Sequence, residues 1–361
     1  MKKSICLGNI LQRDGNNFDV LRLIAAIGVI IGHAYAIAPD PNLQDGILSI
    51  IGFDYSGSLA VKFFFFLSGL LVTNSILRNS NPFLFILKRS FRIFPGLLLC
   101  LAFSVFIIGP FFTTLPIISY FKNKDTWAYL FNNLCLFNLK WRLTGVFEQS
   151  KYGLNGSLWT LPYEVVCYIW LAVIYGIGVM KNKIVSNLFF ALVILICFIN
   201  PNSLPSFFSQ NPEAHLLPAC FALGGLFANN KDYIPIGIAP SLLLCLLLFL
   251  LKGTILFQSL FYITLFYTTI YISSTSFVKK YLTLPFDASY GIYLYGFIVQ
   301  QCLKALFPDI GLHSHQLIAS LVALLLGIAS WYLIEKRFIV YGNKYINNEE
   351  WSKFKKIFLR N

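Results

Sequence analysis

Long apolar runs, separated by short polar breaks, restrict the possible folds of this chain more than any other feature. In a bilayer the backbone must satisfy its hydrogen bonds internally, so a spanning chain forms helices or a closed barrel. Barrel strands are shorter and alternate in polarity, so the runs favour helices. The sequence predicts an all-α integral membrane protein, a bundle of about ten transmembrane helices. The predicted spans are 18–38, 56–76, 93–113, 158–180, 184–200, 214–230, 234–251, 254–274, 286–307 and 316–338.

Composition supports a membrane protein. The chain is 57% hydrophobic and 12% charged, whereas soluble proteins are about 45–50% apolar and about 25% charged. Its net charge of +13 falls mostly in the loops between spans and in the C-terminal segment, so it indicates membrane orientation and not nucleic-acid binding. The bias of lysine and arginine predicts that both termini are cytoplasmic. We divide the chain into a membrane domain, residues 1–338, and a basic cytoplasmic tail, residues 339–361.

The first apolar run carries two residues that a simple anchor would avoid, Arg22 and His33. Eleven helical steps leave their side chains only about 20° apart around the axis and about 16 Å apart along it. A buried arginine should face a protein interior or a wet cavity, and a histidine on the same face is a candidate proton acceptor. In the alternative reading, Arg22 extends to the membrane interface and His33 hydrogen-bonds between helices.

Basic residues also precede the third run, in the segment KRSFRIFP. Arg89 and Arg92 are three positions apart, so on a helix they share a face. Two guanidinium groups placed in this way can bind phosphate through paired hydrogen bonds. The alternative is ordinary positive charge on the cytoplasmic side. In the run before it, Ser68 precedes Gly69, a pair that is typical of close helix packing and also offers a hydroxyl to a site.

A carboxylate lies within the fourth run, where Glu164 follows Trp159. An ionisable residue inside a membrane segment indicates a functional site. Glu164 is a candidate to orient His33, to pair with Arg22, or to bind a sugar hydroxyl. The alternative is a structural ion pair with one of the arginines.

Hydroxyl groups and aromatic rings are dense at the start of the ninth run, FDASYGIYLYGF. Ser289 and Tyr290 belong to this group, which suits a polyol or sugar better than a lipid tail. Tyrosines at membrane interfaces are also common without a function.

Other ionisable residues carry simpler expectations. Glu335, beside Lys336 and Arg337, is expected to anchor the last span at the inner interface. Three histidines are expected outside and in contact with solvent: His215, His313 and His315. The eight cysteines have no CxxC pattern or metal-ligand spacing, so we predict no metal site and interpret them as packing residues. They are Cys6, Cys100, Cys135, Cys167, Cys197, Cys220, Cys245 and Cys302.

Together these segments resemble acyltransferase family 3, the integral membrane O-acyltransferases that modify cell-surface polysaccharides. The resemblance extends from residue 18 to about residue 338. One departure is Gly296, where the family often has a histidine. The segments that carry the resemblance, in family order, are FDVLRLIAAIGVIIGH, FFFFLSGLLV, KRSFRIFP, GSLWTLPYE, SYGIYLYGF and WYLIEKRF.

The resemblance implies transfer of an acyl group, usually acetyl, from cytoplasmic acyl-CoA to a hydroxyl of a glycan or lipid-linked saccharide. The implied location is the inner membrane of a bacterium, among membrane lipids, with acyl-CoA as a co-substrate and no permanently bound cofactor. His33 would be the general base, and Glu164 is the second catalytic candidate. Arg22, Arg89 and Arg92 would bind the donor's phosphates. The residues expected to shape the site or bind substrate are Ser68, Trp159, Ser289 and Tyr290.

Two other functions stay open from the sequence. A transporter or flippase for a lipid-linked sugar would use Arg22, His33 and Glu164 as a binding or proton-relay path. A scaffolding membrane protein would leave these buried polar residues unexplained. Dependence on acyl-CoA distinguishes the enzyme from both.

Overall fold

The structure, a computed structural model, describes residues 5–12, 14–78, 81–209 and 211–347. These ranges are predominantly helical. Two short strands, β1 (Ile5–Cys6) and β2 (Pro235–Ile236), pair antiparallel with Ile5 opposite Ile236.

Twelve helices form the framework of the described residues, and several short helical segments connect them. A π-helical segment, Trp331–Glu335, joins the last two of the twelve helices into one continuous helical stretch. The connecting segments are Leu7–Ile10, Gly46–Ile51, Ile117–Lys122, Val179–Lys181, Pro201–Ser203, Ser206–Ser209, Pro212–Ala214 and Ser276–Tyr281. The twelve helices are α1 (Phe18–Ile37), α2 (Ser56–Arg78), α3 (Pro82–Phe112), α4 (Lys124–Leu134), α5 (Gly156–Gly176), α6 (Lys183–Ile199), α7 (Leu217–Asn229), α8 (Ile238–Leu250), α9 (Phe257–Ser274), α10 (Ser289–Leu306), α11 (Leu312–Ser330) and α12 (Lys336–Asn347).

Each predicted span overlaps a helix, so the all-helical fold is confirmed. Within the described ranges, five stretches are long and apolar enough to cross a bilayer, and α6 and α8 are apolar but shorter. Ten crossings and the cytoplasmic placement of both termini stay predictions. The five stretches are Phe18–Ile37, Ser56–Arg78, Pro82–Phe112, Gly156–Gly176 and Leu312–Tyr345.

Asparagine side chains fix where two of the central helices begin. Asn81 accepts hydrogen bonds from the backbone N–H groups of Phe83 and Leu84, directly before the favourable first-turn proline of α3. Asn155, fully buried, accepts from the N–H of Ser157 and donates to the carbonyl of Leu294 at 3.0 Å. The second asparagine therefore caps α5 and ties it to α10.

Glycines allow α2 and α7 to lie backbone against backbone. A Cβ atom added to Gly69 would lie 2.0 Å from the carbonyl oxygen of Phe221. One added to Gly224 would lie 2.2 Å from the carbonyl oxygen of Phe66. Both distances are shorter than any van der Waals contact, so this interface requires glycine, as small-residue packing in membranes does.

A buried ion pair lies away from the predicted site residues. Lys62 of α2 pairs with Asp54, and Ser58 and Tyr262 also donate hydrogen bonds to the Asp54 carboxylate. Both charged residues are buried, and the two hydroxyl donors complete the coordination of the carboxylate. This cluster links the segment before α2 to α9.

The helix α12 contains the first part of the predicted tail. Residues 339–347 are helical, and α12 packs on α3 with Gly342 against the ring of Phe91. Residues 348–361, the rest of the predicted tail, lie outside the described residues, as do the basic residues Lys2, Lys3 and Arg13.

Two simpler expectations are wrong. Glu335 is only 2% exposed and accepts a hydrogen bond from Ser330 at 2.6 Å, so it is an interior carboxylate and not an interface anchor. His315 is fully buried, and its Nε2 lies 3.0 Å from the carbonyl oxygen of Gln300. In both cases a neighbouring helix covers the polar residue, which its position in the sequence does not reveal.

Gly69→Ala should destabilise the fold, because the methyl group cannot fit against Phe221 without moving α7. Overpacking of this kind typically costs ~1–3 kcal/mol. The measurement is the melting temperature of the purified protein in detergent. Gly28→Ala in α1 is the matched control, because its added Cβ meets Ala60 at an ordinary 3.5 Å. Equal melting temperatures for the two variants would contradict the prediction.

Candidate functional site

Three cavities in the bundle are lined by the predicted site residues. The basic mouth, about 260 Å³, is lined by Lys88 and by Asn343 of α12. The arginine cavity, about 110 Å³, is lined by Ser68 and Glu164. The basic mouth and the arginine cavity share Arg22, Leu71, Arg89 and Arg92 in their walls. The aromatic vestibule, about 890 Å³, is lined by His33, Trp141, Trp159 and Phe297.

Asp287 holds two of the three arginines. Its Oδ2 lies 2.7 Å from Nη2 of Arg92 and 3.7 Å from Nη1 of Arg22. Arg22 also pairs with Asp19 at 2.8 Å, one helical turn before it, and Ser289 donates to Oδ1 of Asp287 at 2.8 Å. One carboxylate at the start of α10 therefore connects α1 and α3.

Arg89 is the least compensated cation of this group. Its Nε is buried and has no hydrogen-bond partner, and no acidic residue of the described ranges forms an ion pair with it. Its guanidinium carbon lies 6.0 Å from the ring centre of Phe85, a cation–π distance. A guanidinium that forms no ion pair and lies in the walls of two cavities is suited to bind an anion.

Glu164 belongs to a hydrogen-bonded group in the arginine cavity. It accepts from the hydroxyl of Tyr168, one helical turn along α5, and from Ser68 of α2 at 3.3 Å. Ser68 and Tyr168 lie 2.7 Å apart. Glu164 therefore contacts Ser68, whereas His33 lines the aromatic vestibule, so the structure does not bring Glu164 to His33. Within the described ranges, no ion pair joins Glu164 to Arg22.

His33 lies at the aromatic vestibule, at the opposite end of α1 from Arg22. Its ring meets the ring of Phe297 edge to face, with centroids 5.2 Å apart. Trp159, another predicted site residue, lines the same vestibule. The helical spacing thus puts Arg22 and His33 at two different cavities.

A hydrogen-bonded layer marks the boundary between the arginine cavity and the aromatic vestibule. Tyr293 and Thr160 line the arginine cavity. Phe297, one helical turn after Tyr293, and Trp159, the residue before Thr160, line the aromatic vestibule. The Tyr293 hydroxyl hydrogen-bonds with Thr160 and donates to the carbonyl oxygen of Ser157 at 2.6 Å.

Residues 16–336 match the model of the acyltransferase domain family, called acyltransferase 3. The chain belongs to this family. It is 29% identical over 348 residues, 90% of this chain and 96% of the relative, to a protein of Shigella phage Sf6 named O-acetyl transferase. It is 33% identical over 173 residues, 45% of this chain and 44% of the relative, to nodulation protein 10 of Rhizobium leguminosarum bv. viciae. No solved structure matches the chain significantly.

The remaining predicted residues of this acyltransferase line the arginine cavity. Ser289 contacts the Asp287 carboxylate, and Tyr290 donates to the carbonyl oxygen of Ile93 at 2.9 Å. Of the nine predicted site residues, all line one of the three cavities.

Sequence reasoning missed three participants. Asp287 lies within the segment FDASYGIYLYGF and receives no role from the sequence, although an acidic residue just before a span is a natural partner for a buried arginine. Tyr168 shares a helix face with Glu164 at the four-residue spacing, which is a detectable signal. Tyr293 gave no signal that distinguished it from Tyr290 or Tyr295.

Asp287→Asn should destabilise this acyltransferase, because it leaves Arg22 and Arg92 without their shared counter-ion. Removing one partner of a fully buried ion pair costs ~3–5 kcal/mol, and the partial exposure of these arginines reduces the expected loss to about 1–3 kcal/mol. The melting temperature in detergent measures the effect. Asp309→Asn in an exposed loop is the control, and equal stability of the two variants would refute a counter-ion role.

Proposed function

We propose that this acyltransferase transfers an acetyl group from cytoplasmic acetyl-CoA to a hydroxyl of a cell-surface or lipid-linked glycan. The observation that carries the proposal is the presence of two separate polar cavities. Arg22, Arg89 and Arg92 line the arginine cavity, and His33 lines the aromatic vestibule. Two such cavities suit two substrates that approach from opposite sides of a membrane.

The donor would bind through its phosphates at the basic mouth. Arg89 forms no ion pair within the described ranges, and Lys88 and Arg92 line the same space. The pantetheine arm would then extend through the arginine cavity, past Ser68 and Glu164. Arg22 and His33 are separated by about 16 Å along α1, a distance that a long flexible arm can span.

His33 would act as the general base in the aromatic vestibule. The imidazole accepts the proton of the acceptor hydroxyl as its oxygen attacks the thioester carbonyl carbon. The carbon–sulfur bond breaks, the ester forms, and the leaving thiolate takes the proton from the imidazolium. Neither a metal nor an oxidant is needed for this balance.

The relatives support the acetyl group and the enzyme class. The Shigella phage relative is named an O-acetyl transferase and aligns over nearly its whole length. Family membership also disfavours the transporter hypothesis, because a flippase needs no acyl donor. We place the protein in the inner membrane of a bacterium, with both termini cytoplasmic, as the distribution of basic residues predicts.

His33→Ala should abolish acetyl transfer, because loss of a general base typically costs about 10²–10⁴-fold in rate. Membranes that contain equal amounts of wild type or variant are incubated with radiolabelled acetyl-CoA and the host's surface-glycan fraction, and label in glycan is counted. His313→Ala, an exposed histidine, is the control. Equal label from wild type and His33→Ala would exclude His33 as the base.

Arg89→Ala should raise KM for acetyl-CoA by about 10- to 100-fold, as expected for loss of a charge-assisted hydrogen bond worth ~1.5–3 kcal/mol. The same variant should react normally with the acetyl thioester of N-acetylcysteamine, which has no phosphate. Arg337→Ala, an exposed arginine on α12, is the matched control. Equal impairment with both donors would show that Arg89 acts on structure and not on phosphate.

A further inference from the structure

The connection between α4 and α5, residues 135–155, forms more than half of the aromatic vestibule wall. It contributes a continuous stretch, Leu139–Val146, together with Glu148, Lys151 and Tyr152. The helices provide His33, Trp159 and Phe297 on the other side. One irregular segment therefore shares the largest of the three cavities with the proposed base.

This segment is held in a defined conformation although it is not helical. The side chain of Asn133 donates to the carbonyl of Lys140 and accepts from its N–H, both at 2.9 Å. The N–H of Leu154 donates to the carbonyl of Trp141 at 2.8 Å. Three apolar residues of the segment, Leu143, Val146 and Leu154, are buried.

The backbone of the segment is strained at several positions. Leu136, Asn138 and Phe147 have φ angles of 54°, 50° and 49°, in the left-handed region that non-glycine residues rarely adopt. Such residues cluster at ligand sites, where the surroundings impose the conformation. Gly153, at φ 67°, leaves room for the carbonyl of Trp141, which a Cβ would approach to 2.2 Å.

The side chains at the vestibule combine three kinds of group. Aromatic rings include Trp141 and Tyr152, which are 40% and 37% exposed. Burial, and after it the charge of Glu213, raises the pKa of Tyr55, so its hydroxyl stays a hydrogen-bond donor. Charged groups of both signs complete the wall: Lys140, Arg142, Lys151, Asp125 and Glu148.

These groups fit a sugar chain better than other large ligands. A lipid tail would need apolar walls, and a polyanion would need cations alone. A sugar offers hydroxyl groups that both donate and accept, and a flat C–H face that packs on an aromatic ring. The volume, about 890 Å³, lies near the upper limit of ligand pockets, about 300–1,000 Å³, and leaves room for several sugar units.

We propose that the segment Leu139–Tyr152 is the acceptor-binding site, which holds an oligosaccharide of two or more units with Trp141 packed on a sugar ring. Arg142 and the charged groups beside it hydrogen-bond with the hydroxyl groups of the sugar. The arrangement of these side chains therefore determines which glycan is modified. The inference rests on the proposed function, since it names the acceptor site of that reaction.

Trp141→Ala tests the site through the two substrates separately. KM for soluble oligosaccharides, prepared by mild acid hydrolysis of the host's surface polysaccharide, should rise at least about tenfold, as for other aromatic anchors. KM for acetyl-CoA should not change, because the donor is proposed to bind at the basic mouth, and Trp141→Tyr should restore most of the affinity for the oligosaccharides. Trp170→Ala is the matched control, because Trp170 is 55% exposed on α5 and lines none of the three cavities.

Two results would overturn the proposal: an unchanged acceptor KM in Trp141→Ala, or an equal rise in KM for both substrates. Equilibrium dialysis of the labelled oligosaccharides against purified protein, without donor, separates this inference from the proposed function. If wild type binds the oligosaccharides and Trp141→Ala does not, the result supports the acceptor site even where no acetyl transfer is measured. If wild type binds none, the acceptor site is refuted, whatever the transfer assay gives.

Discussion

The ionic contact of Asp287 with Arg22 and Arg92 is the constraint on which the site depends. Charged side chains inside a membrane domain are costly unless they are paired, and one carboxylate here serves two arginines from different helices. The helices α1, α3 and α10 meet at this contact. It therefore also positions His33, which lies on α1, and Tyr293, which lies on α10. Arg89 is left outside the pairing, and its charge is therefore available to a ligand.

Helical periodicity predicted the parts of the site that lie on one helix. The eleven-residue spacing of Arg22 and His33 implies two positions far apart along one helix, and the structure puts the two side chains at different cavities. The three-residue spacing of Arg89 and Arg92 implies a shared face, and both residues line the basic mouth and the arginine cavity. In each pair the geometry is set by a single helix, so no knowledge of tertiary packing was needed.

Contacts between distant segments could not be predicted in the same way. The pairing of Arg92 with Asp287 joins residues 195 positions apart, and Glu164 has its partners on α2 and one turn away rather than at His33. The vestibule wall is irregular backbone, for which periodicity gives no information. Several acceptable partners existed for each buried charge, and only the packing of the helices selects among them.

The hydrogen-bonded layer of Tyr293 and Thr160 bears on the energy supply of the cell. A polar route that crossed the bundle without interruption would fill with water and conduct protons and small ions. The layer separates the two cavities, and under the proposed function it would limit this leak while substrates bind from both sides. The acyl group of the donor would then have to displace the hydrogen bond between Tyr293 and Thr160 to reach His33.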